Sequence, residues 1–319
     1  MELPVSRPAA TRVILNPASS GGLGAGMRGR VEEELSRRCI PFSLSLTQAP
    51  GHARTLATEA AQEGVTRILA VGGDGTVHEI ANGLLAATGS PPPMAVVPVG
   101  TGNDFFRMVG VPRRLDRALD VLQAGEVRYF DVGRVSYQGT DTHFVNLLGI
   151  GVDVEVIRRR EGFRHLKGLL QYLAALGAAL TSFRPEEIRA SLEGVEPGDG
   201  AEVIQGRTLL TTVTVGPSVG GGFLVSPQAS PEDGLLDFFF VEALGVTKIV
   251  RYIPRVIRGT HGDLSEVRLR RFRKGLLERT DGEPFFFELD GERMPQAVTR
   301  LEMEVCPRRL PVLVPRRES

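Results

Sequence analysis

Residues 67–78 read RILAVGGDGTVH: an apolar strand run ends in two glycines, an aspartate, a third glycine and a threonine before a helical pattern begins. A corner of this kind lets the backbone approach an anion closely, because glycine carries no side chain and a helix N-terminus presents N–H groups to negative charge. Asp74 adds a carboxylate that phosphates would repel unless a divalent cation lies between them, so the corner implies Mg²⁺ as well as phosphate. An ordinary glycine-rich turn with Asp74 as a helix-start residue is the alternative that this stretch alone leaves open.

The corner is repeated. RVILN (12–16) runs into NPASSGGLGAG (16–26), and MAVVPV (94–99) runs into PVGTGNDFFR (98–107). Helical patterns follow near 26–38, 51–63, 77–87 and 115–125, and PFSLSLT (41–47) alternates as a further strand. Strands alternating with helices indicate βαβ units and a parallel sheet, in which the loops after the strands line the ligand crevice. No Walker A pattern is present.

Beyond residue 126 the pattern changes. EVRYFDVGRVSY (126–137), THFVNLLGIG (142–151), EIRASLEG (187–194), GRTLLTTVTVG (206–216), GLLDFFFVEAL (234–244), EVRLRRF (266–272), PFFFELDG (284–291) and AVTRLEMEVCP (297–307) are strand-like runs separated by turn residues. Only 153–182 and 246–259 read as helical, and EGVEPGDGAEV (193–203) reads as a polar hairpin loop. The expectation is a mostly antiparallel β domain with one helical insertion.

Charge narrows the function classes. Lys+Arg and Asp+Glu balance at 38 each, which argues against nucleic acid as a partner, since such binders normally carry a basic excess. Cys39 and Cys306 follow no metal spacing and suit a reduced, cytoplasmic setting. The N-terminus reads without a signal peptide, and the most apolar stretch (166–183) is too short and too interrupted for a membrane span. The basic runs RRREGFRHLK (158–167) and RYIPRVIRGTHG with VRLRRFRK (251–274) are either solvated faces or contacts with an anionic membrane surface.

NPASSGG, VGGDGTVHEIANGLL and VPVGTGNDFFR, in this order, resemble the diacylglycerol kinase catalytic family, with sphingosine and ceramide kinases as relatives. FVNLLGIGVDVEV, GGGFLVSPQASPEDGLLDFFFV and FELDGE resemble the family's later motifs, so the likeness covers nearly the whole chain. GGDGT alone is shared with NAD kinases and, loosely, phosphofructokinases. The chain departs from the family at Pro217, where members often carry an Asn-Gly pair before the GGG run.

The resemblance implies an α/β nucleotide-binding domain of NAD kinase/phosphofructokinase type over 1–135. A mostly antiparallel β-sandwich domain for the lipid follows over 136–319, its C-terminal strand returning to the first domain. It implies ATP contacts at Asn16, Pro17, Ala18, Ser19, Ser20, Thr47, Gly72, Gly73, Asp74, Gly75, Thr76, Val77, His78, Thr101 and Asn103, with Asp104 shaping the third loop. For Asn103 an Asx-turn, and for Thr47 a plain loop position, remain open. Glu292 is implied as proton acceptor, with Asp290 its close rival; a solvated hairpin turn is the alternative. A structural Mg²⁺ is implied on the Asp233 carboxylate and the carbonyls of Ser230 and Leu235, against an ordinary Asp-Gly turn.

The activity implied is an ATP- and Mg²⁺-dependent lipid kinase that phosphorylates diacylglycerol and touches the membrane peripherally from the cytoplasm. A homodimer is left open. An NAD kinase-like enzyme and a non-catalytic nucleotide-binding regulator are the competing readings.

Overall fold

The structure is a computed structural model that describes residues 11–100, 102–163, 165–166, 169–194 and 200–316. These form two compact units: residues up to Tyr129 together with those from Leu310 onward, and Phe130–Arg309.

The first unit contains β1 (Thr11–Leu15), α1 (Ser19–Gly22), α2 (Met27–Arg37), β2 (Phe42–Leu46), α3 (His52–Gln62), β3 (Arg67–Gly72), α4 (Asp74–Ala86), β4 (Met94–Pro98), α5 (Asp104–Val109) and α6 (Leu115–Ala124). The strands pair in parallel in the order β4-β3-β1-β2, with Leu15 opposite both Leu46 and Val71. The strand runs are continuously apolar because helices cover the sheet: Val13, Ile14, Leu15, Leu69, Val71 and Val96 are all buried. Each such side chain contributes about 1.5–3 kcal/mol on burial. The pairing of α3 with α4 depends on Gly83, where a Cβ would lie 2.3 Å from the Arg54 carbonyl oxygen.

Because β1 sits between β2 and β3, the chain leaves β1 to one side of the sheet and later returns on the other. The loops after β1 and β3 therefore flank the point at which strand order reverses, where open α/β sheets bind ligands. Helix α4 starts at Asp74, three residues earlier than the apolar pattern alone indicates. The polar residues of GDGT form its first turn, so Asp74 lies at the positive end of the helix dipole.

The second unit continues with β5 (Glu126–Tyr137), β6 (Thr140–Phe144), β7 (Leu147–Gly151), α7 (Val152–Arg159), a 3₁₀ turn (Arg160–Phe163), α8 (Leu169–Leu180), β8 (Glu186–Glu193), β9 (Glu202–Thr214), β10 (Leu236–Glu242), α9 (Val246–Ile257), β11 (Val267–Phe272), β12 (Lys274–Arg279), β13 (Phe287–Leu289), β14 (Glu292–Arg293) and β15 (Arg300–Val314). Strand pairing within this unit is antiparallel, along β14-β13-β7-β9-β8-β12-β15, with β10 joining β9 to β11. β15 ends in the first unit, where Val312 pairs in parallel with Met94.

Strand β10 shows why this half reads as β. Successive side chains point to opposite faces. Phe238 and Phe240 enter one core with Phe144, Phe272 and Phe287, while Phe239 enters a second core with α7, α8 and α9 residues such as Val156, Ala179 and Ile249. The sequence reading differs in three places. The helical run 153–182 is broken into α7, the 3₁₀ turn and α8; β12 passed unnoticed because KGLLER is short and charged at both ends; and 142–151 is two strands. Residues 195–199 of the expected hairpin loop lie outside the described residues. Among the described residues no helix is long and apolar enough to cross a membrane.

Candidate active-site elements

In the first unit, the loops after β1, β3 and β4 are held to one another by side chains that the motifs supply. Asn16 accepts the N–H of Ala18 (2.9 Å) and donates through Nδ2 to Thr76 Oγ1 (3.0 Å), bridging the β1 and β3 loops at the strand-order reversal. The Ser20 hydroxyl donates to the Val99 carbonyl, tying the first loop to the third. Ser20 and Gly21 have positive φ (52° and 70°), so α1 is a tight turn rather than a regular helix. Pro17 is half-buried, Ala18 exposed and Ser19 buried. Thr47, just past β2, is half-buried, and its N–H donates to Leu15 O (2.9 Å).

Glycine is required where the loops touch. A Cβ on Gly72 would stand 2.4 Å from Thr76 Oγ1, and one on Gly100 would stand 2.8 Å from the Cα of Gly73. Gly73 is the N-cap of α4 and brings no capping side chain, so the helix begins with the backbone N–H groups of Asp74, Gly75 and Thr76. Asp74 Oδ1 accepts the N–H of Phe105 (3.1 Å), joining this helix start to α5. Thr76, Val77 and His78 are buried, with Asn82 Nδ2 beside the His78 ring and donating to the His78 carbonyl (3.0 Å).

In the third loop Asn103 adopts φ 56°, donates to the Gly100 carbonyl (2.6 Å), and keeps a buried Oδ1 that meets no donor among the described residues. That orphaned acceptor suits a ligand. Asp104 pairs with Arg107 (2.7 Å). Thr101 lies outside the described residues.

In the second unit the DGE turn joins β13 to β14. Asp290 and Gly291 have φ 50° and 87°. The Asp290 carboxylate is buried: Oδ1 accepts the N–H groups of Asn146 (2.8 Å) and Leu147 (2.9 Å), and Oδ2 accepts that of Val145 (2.9 Å). This capture of three successive amides is why residues 142–151 break between β6 and β7. Glu292, by contrast, is exposed at the start of β14. Two further acids of this region escaped the sequence reading, Asp153 and Glu288. Both are buried, and a charged residue inside the apolar runs LLGIGVDV and FFFEL was the available signal.

Around SPEDGLLD, Asp233 accepts the N–H of Leu235 (3.1 Å) and meets Arg271 at 3.4 Å; Ser230 is half-buried and Leu235 buried. Asp131, fully interior, accepts from Gly234 N–H (2.7 Å) and Arg308 N–H (2.8 Å). Burial, reinforced by the Asp233 charge, pushes the Asp237 carboxyl up to about 7. A carboxylate with nearby backbone carbonyls is an oxygen donor set of the kind a hard cation takes, although here Arg271 pairs with Asp233 and Arg273 donates to the Gly234 carbonyl (3.3 Å). No group of three or more His, Cys, Asp or Glu among the described residues is disposed to hold a metal by side chains alone.

Comparisons with known proteins match both halves of the chain. Residues 10–135 match the diacylglycerol kinase catalytic domain, and residues 146–314 match the YegS C-terminal NAD kinase beta sandwich-like domain. The chain is 31% identical to a diacylglycerol kinase of Bacillus subtilis, over 78% of this chain and 79% of that one. It is 33% identical to a diacylglycerol kinase of Mycobacterium tuberculosis, over 80% of each. It is 29% identical to a probable YegS-like lipid kinase of Xanthomonas euvesicatoria, over 97% of each. A crystal structure of a diacylglycerol kinase described as putative, from Bacillus anthracis, shares the fold with a TM-score of 0.75 at 23% identity, covering 95% of this chain and 96% of that one. With an antiparallel sandwich following a parallel nucleotide-type sheet, and both halves matched, the chain belongs to the diacylglycerol kinase catalytic family and is a lipid kinase.

Proposed function

We propose that the protein transfers the γ-phosphate of ATP to the free hydroxyl of diacylglycerol, forming phosphatidic acid, with the first unit holding the nucleotide and the second the lipid. The observation that carries the acceptor is the match to relatives named diacylglycerol kinase across four-fifths of the chain at 31% and 33% identity. On the nucleotide side the reading is supported by three loops braced around the β1–β3 reversal and by an α4 N-terminus that carries no capping side chain. Asn16 to Ser20, Thr47, Gly72 to His78, Thr101 and Asn103 are the residues assigned to ATP.

Asp74 would hold the Mg²⁺ that comes with ATP, which would supply charge neutralisation. A second, structural Mg²⁺ is assigned to the Asp233 carboxylate and the Ser230 and Leu235 carbonyls. In the transfer, the lipid oxygen bonds to the γ-phosphorus as the bond to the β–γ bridging oxygen breaks and ADP departs. The hydroxyl proton passes to a carboxylate. Glu292 is assigned that role because it is exposed, whereas Asp290 has both oxygens committed to backbone amides.

Helix α9 supports docking on an anionic membrane surface from the cytoplasm. Val246 and Val250 are exposed on it, and Arg251 and Arg258 are exposed without an ion pair among the described residues, whereas Lys248 and Arg255 pair with Glu266 and Asp263. Each basic residue near such a surface is worth about 1 kcal/mol.

The test is incubation with labelled ATP and a panel of diacylglycerol, sphingosine, ceramide and NAD. Label in phosphatidic acid is expected. Label confined to another acceptor overturns the choice of diacylglycerol. Glu292→Gln should keep ATP affinity and lose turnover by about 10²–10⁴, the range for a general base.

A further inference from the structure

Two carboxylic acids that the transfer does not use lie together behind the DGE turn. Asp153, in the first turn of α7, is 3% exposed, and Glu288, in the middle of β13, is 0% exposed. Gly149 in β7 locates both: a Cβ there would stand 2.7 Å from Glu288 Oε1 and 3.1 Å from Asp153 Oδ2. Each acid has one firm partner. Tyr172 Oη–H donates to Asp153 Oδ1 (2.7 Å), and the N–H of Gly291 donates to Glu288 Oε2 (2.7 Å).

Glu288 Oε1 has no N–H or O–H donor among the described residues. Two adjacent ionised carboxylates in a dry interior repel strongly, and a single proton between them turns repulsion into a hydrogen bond. The groups facing the pair are Tyr172 on α8, Arg160 on the 3₁₀ turn and Asp290 in the DGE turn. Burial, with the charge of Asp153 second, raises the Glu288 carboxyl well above its ordinary value, and burial raises Asp153 too.

We propose that Glu288 and Asp153 are positioning residues that share one proton at neutral pH and through it fix the Asp290–Gly291–Glu292 turn. The protonated Glu288 donates to Asp153 through Oε1 and accepts the Gly291 N–H through Oε2. The same network reaches the GGG segment: the Tyr172 ring lies 4.9 Å from that of Phe223 and 3.0 Å from where a Gly220 Cβ would be. The pair thus links two turns that each contain residues at positive φ, Asp290 and Gly291 in one and Gly220 to Gly222 in the other. This inference rests on the reading of that turn as the acceptor side of the transfer.

The test compares Glu288→Gln with Glu288→Ala. Glutamine reproduces the protonated acid: its amide nitrogen donates to Asp153 and its oxygen accepts from Gly291. It should keep kcat within about threefold, whereas alanine should lower kcat at least tenfold with the KM for ATP unchanged. Glutamine as impaired as alanine, or alanine as active as the parent, overturns the proposal.

A second readout does not depend on the reaction. A proton held in the folded state but absent from the unfolded one makes stability fall as pH rises above the ordinary glutamate value, by about tenfold in the folding equilibrium per pH unit. Glu288→Gln lacks that loss. The stability of Glu288→Gln relative to the parent should therefore climb between pH 5 and pH 8, and a difference that stays flat overturns the proposal. Parent protein inactive on every lipid, with the climbing difference intact, refutes the proposed function and leaves the shared proton standing.

Discussion

Replacing Asp290 with asparagine separates the brace from the chemistry at the DGE turn. The parent carboxylate is 6% exposed and accepts three backbone N–H groups at 2.8–2.9 Å. An asparagine has one acceptor oxygen. If that oxygen keeps Asn146 and Leu147, the amide NH₂ is turned against the Val145 N–H, a donor facing a donor in a buried place. The loss is one charge-assisted bond together with one stranded amide, about 2–4 kcal/mol.

The backbone does not confuse the comparison, because Asp290 sits at φ 50° and asparagine tolerates the left-handed region as well as aspartate does. Alanine would strand all three amides and add left-handed strain, so its cost should exceed that of asparagine by at least about 1–2 kcal/mol. Urea unfolding gives the free energies, and hydrogen exchange at the amides of Val145, Asn146 and Leu147 reports the brace directly. Glu292→Gln, at an exposed position, should change stability by no more than about 1 kcal/mol. Asp290→Asn within 0.5 kcal/mol of the parent (about the noise of a surface substitution), with unchanged protection at 145–147, would show that the carboxylate does not brace the turn. Lost turnover in a destabilised Asp290→Asn would then mark a displaced turn, whereas lost turnover in a stable Glu292→Gln would mark a missing base.

Three other outcomes are expected. Asp74→Ala should abolish phosphoryl transfer in a folded protein, read by circular dichroism beside the kinase assay; near-normal turnover would remove Asp74 from the metal bridge. Mg²⁺ without ATP should raise the melting temperature, since a ligand of the native state alone stabilises by mass action, and Asp233→Ala should erase that rise; an equal rise in the variant would rule the site out. His261 is buried with its ring edge-on to Phe239 and Nε2 at 3.0 Å from the Val225 carbonyl, and burial lowers its pKa. Its neutral form contributes stability that is complete above the ordinary value of about 6.5 and declines as pH falls, so His261→Phe should flatten the urea midpoint between pH 7.5 and pH 5.

The strands, the helices and the corners between them were legible in the local sequence. RILAV and MAVVPV read as strands, and the glycines at 72 and 73 marked a strand-to-helix corner, because local sterics and hydrophobic period depend on neighbours in the chain; whether that corner was an anion site or an ordinary turn stayed open. GLLDFFFVEAL likewise read as a strand. Which distant groups come within hydrogen-bonding distance was set by tertiary packing. Nothing local to Asn16 points to Thr76, sixty residues away, and nothing in FELDGE distinguishes Asp290, clasped by three amides, from Glu292, which is exposed. Glu288 and Asp153 read as ordinary charges in their own segments. They become one buried acid pair because β13 is laid beside β7 and α7 begins where β7 ends, and pairing between strands is set by burial of the whole face rather than by any single residue on it.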